Sequence, residues 1–404
     1  MNDETKNQII KLIQDYQLCD SCIGRLFRKD IKEGTNLQKG RFLREQICHP
    51  ICVAPSDCYL CEGLIDEIPH FARIIADALK EYEFNTFLIG SKIDEDIQEK
   101  EQQLWNLLKL RDAEPIKMEI NREIGKILEP QLRKTVDILN PEIMAIINTI
   151  YDVVTLQITS LFIYGRYKKL QRGIPQTKWP CQICRGYGCK KCHYTGKLYE
   201  ITVEELIACK ALEFTKGTDE SFHGSGREDI DALMLGPGRP FVLEIKNPKK
   251  RNINLTLLER ETNKITKNLV EISSLRFSTR DEIARIKAAE FKKTYRVTLE
   301  AMQPLNKEKL IKVAQTLQGK LIKQLTPTRV AHRRAHKLRE RKIYNCTIES
   351  VEGIRVILTL ETESGTYVKE FISGDDNKTQ PNLSELIGIP CKVTELDVID
   401  VKGE

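Results

Sequence analysis

Eight of the thirteen cysteines fall into four Cys-x-x-Cys pairs, and no other feature of the 404-residue chain constrains its folding as strongly. The pairs are Cys19/Cys22, Cys58/Cys61, Cys181/Cys184 and Cys189/Cys192. In this spacing two thiolates reach one tetrahedral ion, while the backbone between them turns back and directs N–H groups at sulfur. Two pairs brought together complete a closed four-sulfur site, so two structural zinc ions are expected. Four thiolates leave no open position for water, so neither site is expected to be catalytic. Cys48, His49 and Cys52 lie between the first two pairs and could substitute as ligands there. Gly186, Gly188 and Gly196 thread the second cluster and permit the left-handed turns that fold backbone around a metal. The competing reading, a redox pair or plain buried thiols, is weakened by finding two pairs in one short segment.

Disulfides would need an oxidising compartment, and the chain shows no sign of reaching one. Asp3, Glu4, Lys6 and Lys11 interrupt the N-terminal apolar residues, which therefore lack a signal-peptide core. Residues 143–165 are the most apolar stretch, but Asn148, Asp152 and Gln157 interrupt them, so they are not a membrane span. A cytoplasmic location is expected. Hydrophobic residues make up 41% and charged residues 30%, a globular balance. The length suggests roughly two to four domains. The net charge is only +6, but it is concentrated. Between Thr326 and Lys342 stand Arg329, Arg333, Arg334, Lys337, Arg339, Arg341 and Lys342 against the single acid Glu340, an excess equal to that of the whole chain. Such a run is often a solvated charged helix. Its one-sidedness and the flanking Tyr344 favour RNA phosphate instead.

Residues 1–62 hold the first two cysteine pairs, 63–178 carry helical patterns followed by β-branched runs, 179–197 form a cysteine-rich knuckle, and 198–404 read as a larger α+β domain. Paired strands are expected at Ile143–Ile150 and Val153–Ile163, and further strands at Phe241–Ile245, Tyr295–Leu299, Val351–Leu360 and Thr366–Ile372. Leu310, Val313, Ala314 and Leu317 follow the i, i+3, i+4, i+7 rule and predict a helix over Asn306–Gln324.

Gly224–Asp231, followed by Leu235–Phe241, reads as a tight loop feeding a strand, a common place to present a carboxylate. Composition alone leaves Asp229 and Asp231 balanced between turn-forming and catalytic roles. The motifs decide more. Gly226-Arg227-Glu228-Asp229 resembles the Gly-Arg-x-Asp box of pseudouridine synthases. Together with Gly238-Arg239-Pro240-Phe241, Glu244 and Asn247-Pro248 it closely resembles the archaeal tRNA pseudouridine-54/55 synthase family, the tenth class of these enzymes. The likeness extends to Ser160–Tyr167, Arg172–Thr177, the knuckle, Thr326–Val330 and His332-Arg333-Arg334.

The resemblance implies a multidomain α+β protein. A zinc-bearing, THUMP-like RNA-binding domain is joined to a pseudouridine synthase catalytic domain with a mixed or antiparallel central sheet. It also implies isomerisation of uridine in the TΨC arm of tRNA without an organic cofactor, by a chain that contacts the T arm and acceptor stem and has no obligatory protein partner. Asp229 stands at the position of the essential carboxylate. Tyr295 matches the tyrosine that packs on uracil, Arg227 an arginine that helps displace the base, and Lys369 the basic residue that pairs with the aspartate. Tyr367 and Phe371 belong to the same block and are expected near the base, with Arg333 and Arg334 on phosphate. Related synthases often carry arginine in place of Lys369 and leucine in place of Phe371, and lysine cannot make arginine's bidentate contact. A non-catalytic zinc-containing tRNA-binding protein is the alternative. Neither a Gly-rich methyltransferase turn nor an ATP-pyrophosphatase loop is found.

Overall fold

The structure, a computed structural model, describes residues 3–29, 31, 33–47, 52–331 and 335–402. It divides into two compact units, Met1–Thr159 with Lys249–Arg251, and Ser160–Pro248 with Asn252–Glu404.

The first unit opens with helices α1 (Asp3–Asp15), α2 (Asp20–Leu26), α3 (Asn36–Gln46) and α4 (Ile68–Leu79). A mixed sheet follows, made of β1 (Thr86–Lys92), β2 (Thr135–Val136), β3 (Ile143–Asn148) and β4 (Val153–Ile158) in the order β2-β1-β3-β4. Helices α5 (Glu95–Leu108) and α6 (Ile116–Leu132) lie between β1 and β2 in sequence. Ile68, Phe71, Ala72, Ile75, Ala76 and Leu79 bury one stripe of α4 at helical spacing. Ile143, Ala145 and Ile147 bury one face of β3 at a period of two. The expected strand pair is present, with Ile143 opposite Ile158. The second strand is shorter than Val153–Ile163, because the chain leaves the sheet at Thr159, whose hydroxyl donates to the Pro141 carbonyl at 2.8 Å.

The second unit is built on a ten-stranded sheet. Its strands are β5 (Leu161–Lys169), β6 (Asp219–Gly224), β7 (Leu233–Lys246), β8 (Val270–Ser278), β9 (Lys292–Ala301), β10 (Leu321–Gln324), β11 (Arg339–Glu352), β12 (Arg355–Thr362), β13 (Thr379–Gln380) and β14 (Cys391–Lys402). The order is β13-β10-β11-β12-β9-β14-β7-β5-β8, with β6 also on β7. Only the β14–β7 pairing is parallel. Helices α7 (Val203–Thr215), α8 (Leu255–Ile265), α9 (Arg280–Ala288), α10 (Lys307–Leu317), α11 (Val368–Ser373) and α12 (Leu383–Ile387) complete the unit. One large core gathers under β9, β11 and β12, another under β5, β7 and β8, and Tyr295 packs against both.

One edge of β7 places the functional loop. Its first residues, Leu233 and Met234, pair with β14, whereas Phe241–Lys246 pair with β6. The connection 225–232 emerges where that edge changes partner. Strand ladders do not fill this gap, so side chains can.

Three expectations need correction. The strand predicted at Val351–Leu360 is instead the end of β11 and most of β12, joined by a tight turn in which Gly353 takes φ +61°. The helix predicted over Asn306–Gln324 ends at Leu317; Gly319 takes φ +74° and residues 321–324 join the sheet as β10. The strand predicted at Thr366–Ile372 is mostly the helix α11. Thr, Tyr and Val favoured a strand by propensity. The buried residues Val368, Phe371 and Ile372 follow i, i+3, i+4 instead, and Gly374 at φ +87° closes the turn.

Candidate active site

The loop 225–232 is held from beneath by a buried polar network. Glu228 accepts from the Tyr167 hydroxyl at 2.9 Å and from Arg239 Nε at 2.9 Å, and Arg239 also donates to the Ser225 carbonyl at 2.8 Å. Gln176 Nε2 donates to the Tyr167 oxygen and to the Gly226 carbonyl. Lys169, 1% exposed, donates to the carbonyls of Ile174, Asp229 and Ile230 at 2.9–3.2 Å. Its ammonium thus grips the main chain of Asp229 itself. Burial pushes the Lys169 pKa down, while Glu228 pulls it back toward the charged form. A buried charge is tolerated when it is paired and hydrogen-bonded, and every member of this network is.

Above the network the Asp229 carboxylate, about one-third exposed, faces two cations. Arg329 Nη1 lies 3.3 Å from Oδ2, and Lys369 Nζ lies 3.4 Å from the same oxygen. Each cation is shared. Lys369 is closer to Asp231, at 2.8 Å, and Arg329 Nε donates to the buried Glu370 at 2.6 Å. Burial opposes the Arg329 charge, but Glu370 and Asp229 together raise its pKa above the ordinary value. Asp231 shows the converse balance: burial raises its pKa, and the Lys369 contact lowers it further than that.

Asp229 opens into a cleft of about 330 Å³ lined also by Arg227, Lys293, Tyr295, Tyr367 and Lys369. Tyr295 comes from β9 and Tyr367 from the turn before α11. Burial raises the Tyr295 hydroxyl to about 12, so it is neutral at physiological pH. Lys293, two residues earlier on β9, is 8% exposed and among the described residues reaches the Ser364 hydroxyl, at 3.5 Å. Burial and the neighbouring Arg239 lower its pKa to about 8. Arg227 is exposed, and its guanidinium lies 5.7 Å from the centre of the Trp179 ring.

The structure therefore brings Asp229, Tyr295, Arg227, Lys369 and Tyr367 around one cleft. Phe371 is fully buried in the core under α11 and does not line the cleft, because α11 turns it away from Lys369. Arg333 and Arg334 lie outside the described residues. Of the basic run, Arg329, Arg339 and Arg341 line the cleft. Sequence reading gave no role to Arg329 as a partner of Asp229, nor to Glu370, Lys293, Lys169, Tyr167 or Glu228. Arg329, Tyr167 and Glu228 stand inside the blocks that carry the family likeness, which was the available signal; Lys169 stands outside them.

Both cysteine clusters assemble. The sulfurs of Cys19, Cys22, Cys58 and Cys61 lie within 4.8 Å of one another, as do those of Cys181, Cys184, Cys189 and Cys192. The Cys19 N–H donates to the Cys58 sulfur at 3.3 Å. In the second group the N–H groups of Gly188, Cys189 and Gly196 donate to sulfur at 3.2–3.3 Å. Burial raises the Cys192 thiol, and the N–H groups of Cys189 and Gly196 outweigh that and lower it to about 6. Four sulfurs supported by N–H donors suit a tetrahedral, thiophilic ion. Cys52 is exposed, with its sulfur 3.4 Å from Asp20, and is not in the cluster; Cys48 and His49 lie outside the described residues. No described helix is long and apolar enough to cross a membrane.

Comparison with known proteins places these features. Residues 162–402 match the family model "Pus10, C-terminal", and residues 71–148 match "Pus10 THUMP domain, archaeal". The chain is 38% identical to the tRNA pseudouridine synthase Pus10 of Methanothrix thermoacetophila, over 98% of this chain and 94% of that protein. It is 39% identical to the Methanocaldococcus jannaschii protein of the same name, over 97% and 93%. A chain of a Cbf5-Nop10-Gar1 complex aligns at a TM-score of 0.32 and 15% identity, covering 58% of this chain and 47% of that one.

Proposed function

The chain belongs to the Pus10 family of tRNA pseudouridine synthases, and from that premise we propose that it isomerises uridine in tRNA with Asp229 as the catalytic carboxylate. The observation that carries the assignment is the placement of Asp229: its backbone is gripped by Lys169 and its carboxylate faces Arg329 and Lys369 in a cleft that Tyr295 also lines. The target nucleotide leaves the stack and enters the cleft. Asp229 either attacks C1′ or removes the C2′ proton, and the C1′–N1 bond breaks. The freed uracil turns against the Tyr295 ring, whose face holds a planar base without blocking rotation. C5 then bonds to C1′, either as the Asp229–C1′ ester bond breaks or as Asp229 returns the proton to C2′; the C5 hydrogen leaves as a proton, and N1 is protonated. No electron transfer is involved, so no organic cofactor is required.

The finer assignments follow the same reading. Nucleotides 54 and 55 of the T arm are the targets, and zinc occupies both four-cysteine groups. Arg227 helps displace the base. Arg339, Arg341, Arg333 and Arg334 hold phosphates of the T arm or acceptor stem in a cytoplasmic protein. Arg341 Nε is buried without a hydrogen-bond partner among the described residues. Residues 1–62 serve as the zinc module and 63–159 as the THUMP-like region; the boundary expected at 178 moves back because β5 belongs to the sheet of the second unit, which with the knuckle 179–197 inside it serves as the catalytic unit.

The test is tritium release from tRNA labelled at uridine C5, since binding alone cannot expel that hydrogen. Asp229→Asn preserves side-chain shape and should reduce release to background, while tRNA affinity stays within about a few-fold because phosphate contacts dominate binding. Asp231→Asn leaves Lys369 free to move wholly onto Asp229 and should retain turnover. Release by the Asp229→Asn protein at the parent rate would remove Asp229 from the chemistry.

A further inference from the structure

The knuckle carries side chains that a metal site has no use for. It consists of two equivalent eight-residue turns, Cys181-Gln-Ile-Cys184-Arg-Gly-Tyr-Gly188 and Cys189-Lys-Lys-Cys192-His-Tyr-Thr-Gly196. Arg185 and His193 occupy matching left-handed positions, at φ 52° and 50°. Tyr187 N–H donates to the Cys184 carbonyl as Thr195 N–H does to that of Cys192, both at 3.0 Å. Gly188 and Gly196 each donate to a cysteine sulfur. The turns lie side by side: a Cβ on Gly188 would meet the Tyr194 carbonyl at 2.8 Å, and one on Gly196 the Gly186 carbonyl at 2.3 Å. Cysteines, glycines and main-chain N–H groups thus account for the metal-binding geometry completely.

What remains is exposed. Tyr187 is 95% and Tyr194 70% exposed, and the adjacency of Gly188 to Tyr194 brings their backbones together. Arg185, Lys190 and Lys191 are exposed as well, with no acidic partner among the described residues, and no acidic residue occurs anywhere between Cys181 and Lys197. Lys197 is different, being paired with Glu205 at 2.7 Å. Four thiolates around a divalent ion carry a net charge of −2, which these cations outweigh. Exposed aromatic faces interleaved with unpaired cations suit single-stranded nucleic acid, where bases stack and phosphates pair. The knuckle is also rooted at the functional cleft. Trp179, just before it, packs edge-on against Tyr199 and lines a pocket together with Arg227 and Asp229.

We propose that the knuckle is an RNA-contacting surface, in which Tyr187 and Tyr194 stack on unpaired bases of the tRNA substrate while Arg185, Lys190 and Lys191 hold the neighbouring phosphates. The proposal rests on the reading of the chain as a tRNA-modifying enzyme. It gives the second cysteine cluster a task beyond bracing the fold.

The experiment uses the full chain with metal bound and an unmodified tRNA transcript. Tyr187→Ala/Tyr194→Ala should weaken tRNA binding by about ten-fold or more without changing its salt slope, as lost stacking does. Arg185→Ala/Lys190→Ala/Lys191→Ala should flatten the slope of log K against log salt by about two units, as lost phosphate contacts do. Tyr187→Phe/Tyr194→Phe keeps the ring faces and should restore affinity; because its turns are unaltered, it also separates stacking from misfolding. Metal content equal to the parent's confirms that the turns are intact. Parental affinity and slope in both alanine variants would overturn the proposal and leave the surface to protein contact or to none. Failure of the underlying reading looks different: the parent itself would release no tritium from C5-labelled tRNA, whatever the knuckle variants bind.

Discussion

At the residue scale, the arrangement around Asp229 is one of shared charges. Arg329 spans Asp229 and Glu370, and Lys369 spans Asp229 and Asp231. A guanidinium can bridge two carboxylates in one plane, whereas an ammonium is a single point of charge. Arg329→Lys should therefore satisfy Glu370 or Asp229 but not both, reducing turnover by roughly ten-fold while the protein stays folded. Arg329→Ala should in addition leave the buried Glu370 without its partner, costing about 1–3 kcal/mol of stability. Tritium release and thermal melting of the two variants check this; equal turnover in the lysine variant and the parent would speak against bridging. Lys293 offers a pH test. It faces Arg239, Glu228 and the Ser364 hydroxyl, and its pKa falls from 10.5 to about 8 on folding. The folded chain thus holds fewer protons than the unfolded chain between those values, so this group adds stability as pH rises through that window and subtracts it below. Lys293→Met should raise the melting temperature at pH 7 relative to the parent and remove that part of the rise between pH 8 and 10.5.

At the scale of elements, two short helices show how closely backbones approach when glycine permits it. A Cβ on Gly24 in α2 would lie 1.9 Å from the Asn36 carbonyl, and one on Gly40 in α3 would lie 1.8 Å from that of Asp20. The two helices are thus in main-chain contact from both sides. α2 carries Cys22, and Arg44 of α3 donates to Asp20 at 2.8 Å, so the packing bears directly on the first cysteine cluster. Gly40→Ala should force the helices apart at a cost of about 3 kcal/mol or more, as overpacking a tight contact does. The change should appear in thermal melting and as weaker metal retention in the first cluster. A melting temperature within a degree of the parent's would show that the contact relaxes freely. The knuckle glycines Gly188 and Gly196 make a similar approach to main-chain carbonyls.

At the scale of the whole molecule, the two cysteine clusters occupy unlike environments. Cys19, Cys22, Cys58 and Cys61 are all buried within the core of the first unit. Cys184 and Cys189 are only half-buried, and their cluster stands at the surface of the second. A chelator should therefore strip the knuckle first and with little loss of helical signal. Release from the first cluster should be slower and should coincide with collapse of the first unit's helices, because structural metal binding supplies folding free energy. Metal release followed by a colorimetric chelator beside far-UV circular dichroism distinguishes the two. Simultaneous release with no dichroism change would contradict the assignment of a folding role.

Much of the molecule was legible in its sequence because local chemistry carried it. Cys-x-x-Cys spacing marks the sulfurs that assemble in two groups of four, β3 and α4 show their buried faces as periods of two and 3.6, and the Gly-Arg-x-Asp box marks the loop that lines the cleft. Tertiary structure decided what depends on partners distant along the chain. The segment 366–372 has strand-forming residues, yet it is largely helix because Val368, Phe371 and Ile372 must face one core, and that same turn buries Phe371 while leaving Lys369 at the cleft. Arg329 belonged to a run that reads as an RNA-facing stripe, and only the closing of 100 residues of intervening chain sets it against Asp229. The clamp of Lys169, Tyr167 and Glu228 joins residues about sixty positions apart. Charge pairing falls off within a few ångströms, so which cation meets which carboxylate is settled by the packing of strands and helices and not by the spacing of residues along the chain.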